Sequence, residues 1–167
     1  MTGFVVEALS RDHVRAGFSC GVEALDRYLE VQAGQDVRRR IANCFVARPA
    51  QSLEIAGYYT LSATSIATPD LPEAITRRLP RYPLVPAVVI GRLAIDRRHS
   101  GRGLGAALLF DAIRRSASVD AAVFAIVVDA KDESAVRFYE HHGFSRFASR
   151  PLSLYLPMAT AILLLES

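Results

Sequence analysis

Apolar and polar positions divide the chain into runs of two kinds, and the sharpest change between them falls between Val88 and Ala106. Val88, Val89, Ile90, Leu93, Ala94 and Ile95 form a β-branched run that stops near Asp96. The following Arg98-His99-Ser100-Gly101-Arg102-Gly103-Leu104-Gly105 cannot extend a strand. From Ala106 the spacing turns helical: Ala106, Leu109, Phe110, Ile113 and Ala117 share a face, while Asp111, Arg114 and Arg115 fall elsewhere. A buried strand, a glycine-rich turn and a helix are therefore predicted in succession.

Read the same way, the rest of the chain supplies a sheet around that strand. Phe4–Glu7 predicts a short first strand, and Val22–Arg40 a helix whose stripe is Val22, Leu25, Leu29, Ala33 and Val37. Asn43–Arg48 and Leu53–Thr68 predict an antiparallel pair joined by Pro49-Ala50-Gln51-Ser52. Leu71–Leu79 predicts a short helix starting near Pro72 with Asp70 as candidate N-cap. Arg77, Arg78, Arg81 and Tyr82 follow in a basic loop stiffened by Pro80, Pro83 and Pro86. Ala121–Asp129, apolar throughout, predicts a strand covered on both faces and parallel to the central one. Asp132 is placed to cap a helix over Glu133–His142, in which Ala135, Phe138 and Tyr139 share a face and Gly143 supplies the stop. Phe144–Phe147 and Leu152–Leu165 complete the sheet, the latter broken near Pro157.

The predicted fold is α/β: one domain over residues 1–167, with a mixed, mostly antiparallel sheet and helices on both faces. A single parallel strand-helix-strand crossover carries the glycine turn. Ligand sites in open α/β sheets favour the C-terminal ends of such strands.

Composition narrows the setting. A chain of 167 residues, 51% hydrophobic and 22% charged, excludes disorder and fibres. No apolar run reaches the roughly 18 to 20 residues of a membrane span, and Met1–Asp12 lacks the features of a signal peptide, so a cytoplasmic protein is expected. Cys20 and Cys44 have no metal-ligand spacing and read as reduced structural thiols; no metal is expected. Of the 20 lysines and arginines only Lys131 is a lysine, and the guanidinium fork suits phosphate. A GC-rich genome produces the same bias, so the location of arginines carries the argument rather than their number.

The glycines let backbone N–H groups approach an anion at the positive end of a helix dipole. They do not spell the dinucleotide fingerprint, and no Gly-Lys-Ser/Thr follows. Arg98-x-x-Gly101-x-Gly103 instead resembles the acetyl-coenzyme A signature of the GNAT acetyltransferases. Asp132-x-x-Ala135-x-x-Phe138-Tyr139-Glu140-x-x-Gly143-Phe144 resembles a second motif of that family, with Asp132 in the usual Asn place. Phe18-Ser19-Cys20-Gly21, Leu25–Leu29, Ile55–Ser62, Leu79-Pro80-Arg81-Tyr82-Pro83 and Gly91-Arg92-Leu93-Ala94 are similar to its toxin branch. The resemblance runs from about Phe18 to about Leu164.

That resemblance implies acetyl-CoA as cosubstrate. The pantetheine arm is expected along Leu93, Ala94 and Ile95, and the pyrophosphate on the backbone of Arg98, Gly101, Arg102, Gly103, Leu104 and Gly105. Asp132 stands where the family's polar contact to the coenzyme is expected. Tyr139 is implied as the general acid that protonates the leaving thiolate, in place of the core role its helix face alone suggests. A backbone N–H near Leu93 or Ala94 is implied as the oxyanion donor.

No general base stands out, since His99, His141, His142 and Glu133 read as surface residues. An α-amino group titrates at about 7.7–8.0 against about 10.4 for lysine, so an aminoacyl ester fits a missing base better than a lysine does. The toxin branch implies acetylation of aminoacyl-tRNA, blocked translation, a homodimer and a ribbon-helix-helix antitoxin through which alone the pair meets DNA. Arg77, Arg78, Arg81 and Arg92 are the candidate tRNA contacts, with Arg38, Arg39 and Arg40 further out. Two other readings stay open: an acetyltransferase of a small or protein amine, and a non-catalytic coenzyme A-binding component of a repressor complex.

Overall fold

The strand-type runs become β1 (Phe4–Ala8), β2 (Asn43–Pro49), β3 (Gly57–Ala67) and β4 (Leu84–Ile95), then β5 (Ala125–Asp129), β6 (Ser145–Arg146) and β7 (Ser153–Pro157), in a computed structural model that describes residues 3–167. Their order in the sheet is β1-β2-β3-β4-β5-β7-β6. β4 and β5 pair in parallel, with Ala87 opposite Ala125 and Ile90 opposite Val128. β1–β2, β2–β3, β5–β7 and β6–β7 are antiparallel. The helices are α1 (Glu23–Arg27), α2 (Ala33–Arg38), α3 (Glu73–Thr76), α4 (Leu104–Ala117), α5 (Glu133–His141) and α6 (Met158–Glu166). The predicted crossover is thus β4-α4-β5.

The chain divides into two compact units, Met1–Ser62 with Gly91–Ala112 and Ala63–Ile90 with Ile113–Ser167. β3, β4 and α4 each contribute residues to both.

In the first unit, Leu29 and Ala33 of the predicted stripe are buried with Phe18, Tyr28, Val46, Ile55 and Tyr58, and Leu25 and Val37 pack against them. The predicted Val22–Arg40 helix is not uniform. Tyr28–Gln32 winds as a π-helical stretch between α1 and α2. Its end is a Schellman turn in which Ile41 N–H donates to Asp36 O at 2.9 Å and Arg40 N–H to Val37 O at 3.2 Å. Arg40 takes the left-handed position there, with φ 60°. Neither cysteine is in a disulfide, and burial pushes the Cys44 thiol up to about 12.

In the second unit, Ala125–Val128 of β5 are all buried, as the continuous apolar run requires. Val85, Ala87, Ile66, Leu71, Phe147 and Tyr155 build the core beside them.

Several predicted boundaries are corrected. The second long strand begins at Gly57 rather than Leu53, β5 at Ala125 rather than Ala121, and the run Phe144–Phe147 pairs only over Ser145–Arg146. The predicted Leu71–Leu79 helix contracts to α3, with Pro72 rather than Asp70 at its N-cap; Asp70 closes a short 3-10 turn, Thr68–Asp70. Leu152–Leu165 is not one broken strand, because the chain is helical from Met158. Pro157 has no N–H to continue the ladder, and the alanines and leucines that follow are strong helix formers. Met158 and Ala161, three residues apart, turn inward, while Ile162 and Leu163 remain exposed. On α4, Phe110 of the predicted apolar stripe is exposed, whereas Asp111 is buried and accepts a 2.5 Å hydrogen bond from the Tyr59 hydroxyl.

Candidate active site

The first unit holds the end of β4, the glycine turn and the start of α4. The turn starts on Asp96, which is 1% exposed and caps a 3-10 turn over Arg97–His99. Its Oδ1 accepts from Arg98 N–H at 2.9 Å and Arg98 Nε at 3.0 Å, and its Oδ2 from Arg98 Nη2 at 3.3 Å and Ser19 N–H at 3.1 Å. Burial alone raises this carboxyl's pKa, but the Arg98 and Ser19 hydrogen bonds outweigh it and hold the group below its ordinary value. Arg97 N–H donates to Ser19 O at 2.8 Å, so Phe18–Gly21 is tied to the turn from outside. Gly21, at φ +95°, admits the Arg97 guanidinium: a Cβ there meets Nε at 3.3 Å.

These bonds also decide which backbone donors remain. The N–H groups of Arg98, His99 and Ser100 are spent on Asp96 Oδ1, Asp96 O and Arg97 O. The expected pyrophosphate donors therefore narrow to the stretch Gly101–Gly105. Gly101 and Gly103 lie at φ 75° and 77°, and the first N–H groups of α4 have no intrahelical acceptor. A Cβ on Gly101 finds nothing within 4 Å, so this side of the turn is open. Unspent N–H donors at the positive end of a 14-residue helix fit a diphosphate.

Beside them, Arg102 Nη1 lies 3.3 Å from His99 Nδ1, and its guanidinium lies 5.1 Å from the centre of the Phe4 ring. Gly57 brings β3 close to the same corner, where a Cβ is 2.9 Å from Ile95 Cδ1 and 3.1 Å from the Ala94 carbonyl oxygen. Leu93 and Ile95 are half-buried and Ala94 is buried.

The second unit holds Tyr139 on α5. Asp132 Oδ1 accepts from Ala135 N–H at 2.8 Å, so this side chain serves as the predicted helix cap. Gly143 ends the helix at φ 97°. Tyr139 is 5% exposed, wedged edge-on between Phe138 and Phe144 at ring separations of 5.2 and 5.6 Å. Burial, with a smaller push from the Asp129 charge, raises its phenol pKa, which keeps the proton on at neutral pH.

Two of the weak candidates for a base are engaged, and His141 is exposed. Glu133 pairs with Arg146 at 3.1 Å, and His142 Nδ1 lies 2.9 Å from the Phe138 carbonyl oxygen.

The candidate tRNA arginines separate. Arg77, Arg78 and Arg81 are exposed in the second unit. Arg92 belongs to the first, where its guanidinium lies 3.5 Å above the Tyr28 ring. The Tyr28 hydroxyl donates to Asp36 at 2.7 Å. Asp96 as the anchor of the turn and Asp111 as the partner of Tyr59 were missed in the sequence. An Asp directly between a strand and a glycine turn is the capping signal that marks the first of them.

The acetyltransferase (GNAT) domain family matches residues 79–153. The probable toxin TacT of Sinorhizobium fredii is 30% identical over 166 residues, 93% of this chain and 92% of the relative. This chain belongs to the GNAT acetyltransferases. The tRNA-acetylating toxin of Mycobacterium tuberculosis is 37% identical over 146 residues, 86% of each chain. Among solved structures, a tyrosine-to-phenylalanine mutant of KacT superposes with a TM-score of 0.91 at 26% identity, covering 97% of this chain and 99% of that one. AtaT complexed with acetyl-methionyl-tRNAfMet gives 0.89 at 30% identity, covering 98% and 99%. AtaTR bound with acetyl-CoA gives 0.85 at 29% identity, covering 99% of each. Among the described residues, no helix is long and apolar enough to cross a membrane, and no cluster of side chains is arranged to hold a metal ion.

Proposed function

We propose that this GNAT acetyltransferase moves the acetyl group of acetyl-CoA to the α-amino group of the amino acid on a charged tRNA, as the toxin of a toxin–antitoxin pair that blocks translation. The observation that carries the reading is its 37% identity, over 86% of both chains, to a tRNA-acetylating toxin. The AtaT complex with an acetylated aminoacyl-tRNA supports the same substrate class.

Acetyl-CoA supplies the activated acetyl group as a thioester. The backbone N–H groups of Gly101, Arg102, Gly103, Leu104 and Gly105 hold its pyrophosphate, and Leu93, Ala94 and Ile95 line the pantetheine arm. A backbone N–H at Leu93 or Ala94 polarises the carbonyl. Tyr139 gives its phenolic proton to the sulfur as the carbon–sulfur bond breaks, and its raised pKa keeps that proton available at neutral pH. Arg98 acts as the clamp that fixes the turn through Asp96. With the histidines and Glu133 engaged or at the surface, an amine that titrates near neutrality suits this chain better than a lysine does. Arg77, Arg78 and Arg81 meet the tRNA phosphates.

The chain acts as one domain over residues 1–167, in the cytoplasm, as a homodimer. A ribbon-helix-helix antitoxin partners it; the structures of AtaT bound to the C-terminus of AtaR and of KacTA with DNA support an antitoxin partner.

The deciding experiment is transfer of labelled acetyl from acetyl-CoA to a pool of charged tRNA, with wild type and Tyr139→Phe side by side. Label on tRNA with the wild type alone is the expected result. Label on free amines or proteins but not tRNA overturns the substrate, and no transfer at all overturns the enzyme reading.

A further inference from the structure

One exposed aromatic ring in the second unit stands at a built cleft. Tyr82 is 60% exposed, and its backbone is held from both sides. Its N–H donates to Pro80 O at 2.7 Å, its carbonyl accepts from Thr68 Oγ1 at 2.9 Å, and Thr68 N–H donates to the next carbonyl, of Pro83, at 3.0 Å. Pro80 and Pro83 fix φ on either side. The ring therefore projects from a rigid loop, and little ordering remains to be done when something lies against it.

The cleft beside it measures about 430 Å³ and is walled by Thr68, Thr76, Leu79, Arg81 and Tyr82. With Pro80 and Pro83 completing the wall, it combines one exposed aromatic side chain, one guanidinium, two hydroxyls and three apolar side chains. Arg81 lines it, and over the segment from Asp70 to Tyr82 the arginines Arg77, Arg78 and Arg81 outnumber the carboxylates Asp70 and Glu73, so the net charge of the segment favours an anion. An aromatic ring next to an arginine is an arrangement that holds an unstacked nucleobase with its phosphate. A base inside a duplex has no free face to offer.

We propose that Tyr82 stacks an unpaired base at the 3′ end of the RNA substrate while Arg81 meets the adjoining phosphate. The inference rests on the tRNA reading and deepens it: the residue recognises the single-stranded end that carries the amino acid. Coenzyme A also carries a purine and phosphates, so the two sources are tested separately.

Two hairpins of equal stem are the probes, one with a single-stranded 3′ CCA end and one blunt. Wild type binds the CCA-ended hairpin more tightly. Tyr82→Ala weakens that binding by about fivefold or more, the range of one base–aromatic stack, and leaves the blunt hairpin unaffected. Tyr82→Phe, which keeps the ring, retains the preference. Because the chain has no tryptophan, Tyr82→Trp gives a single indole that can be excited apart from the tyrosines, quenched by the CCA-ended hairpin and not by the blunt one or by acetyl-CoA.

Equal weakening on both hairpins by Tyr82→Ala overturns the stacking. Quenching by acetyl-CoA alone overturns the RNA assignment and gives the cleft to the cosubstrate. Wild type binding neither hairpin overturns the tRNA reading itself, whereas normal binding by wild type with no effect of Tyr82→Ala overturns this inference only.

Discussion

The Asp96 carboxylate holds Arg98 at three points: the backbone N–H at 2.9 Å, Nε at 3.0 Å and Nη2 at 3.3 Å. The arginine of the coenzyme signature thus points back at the strand end, and the glycines after it are aimed by that grip. Asp96→Ala leaves Ser19 N–H and the Arg98 donors unpaired. A loss of about 2 kcal/mol in urea unfolding is expected, with a raised Kd for acetyl-CoA by calorimetry. The pH dependence follows from the lowered folded pKa. The stability this carboxylate adds is present above its ordinary value of about 3.9 and is lost as pH falls from there through the depressed folded value. The gap between wild type and Asp96→Asn should close below about pH 4; a gap that stays constant into acid removes Asp96 as its source.

Tyr139→Phe removes a hydroxyl from a ring otherwise held by Phe138 and Phe144. Folding stability should stay within about 0.5 kcal/mol, acetyl-CoA affinity should hold, and kcat should drop by about 10²- to 10⁴-fold. Steady-state kinetics beside calorimetry separate the proton donor from a packing role, which moves stability rather than kcat.

Gly57→Ala sets a Cβ 2.9 Å from Ile95 Cδ1, 3.0 Å from Leu108 Cδ1 and 3.1 Å from the Ala94 carbonyl oxygen. The carbonyl is backbone and cannot rotate away, so about 1–3 kcal/mol of destabilisation is expected. Gly101→Ala, with open space around its Cβ, meets only the strain of its positive φ and should cost about 1 kcal/mol. Denaturation midpoints of the two variants give the comparison.

Arg40 occupies the left-handed position of its Schellman turn at φ 60°, where glycine is the usual residue. Arg40→Gly should raise stability by about 0.5–1 kcal/mol, read from the urea midpoint. A decrease shows that the side chain makes a contribution larger than the strain.

Arg92 and the loop arginines should part in mutation. Arg92→Ala removes the guanidinium 3.5 Å above Tyr28 and should cost about 1 kcal/mol of folding stability. Replacing Arg77, Arg78 and Arg81 together should leave stability within about 0.5 kcal/mol and flatten the salt dependence of tRNA binding by about one slope unit for each phosphate that is no longer neutralised. An unchanged slope moves the tRNA surface away from this loop.

The strand-turn-helix from Val88 to Ala117 was legible because the change from β-branched run to glycines to helical spacing is a local pattern. Asp132 and Gly143 were legible for the same reason, as each caps or stops its own helix within a few residues. The end of the chain was not, since Met158–Glu166 is apolar enough for either a strand or a helix, and periodicity does not separate the two in a short run. Asp111 misled in the opposite sense. A carboxylate reads as a surface group, yet the Tyr59 hydroxyl, 52 residues away in the chain, makes its burial tolerable.

By itself the sequence determined the succession of elements as far as Gly143, the glycine turn, the caps at Asp132 and Gly143 and the motif that carries Tyr139, because each depends on neighbours a few residues apart. Tertiary structure alone decided that Asp96 clamps Arg98 and Ser19, that three backbone donors of the turn are already spent, that Arg92 lies on Tyr28, and that Tyr82 stands over an open cleft. Those outcomes depend on where distant segments meet, and the desolvation and hydrogen-bond satisfaction that fix them exist only after the chain has packed.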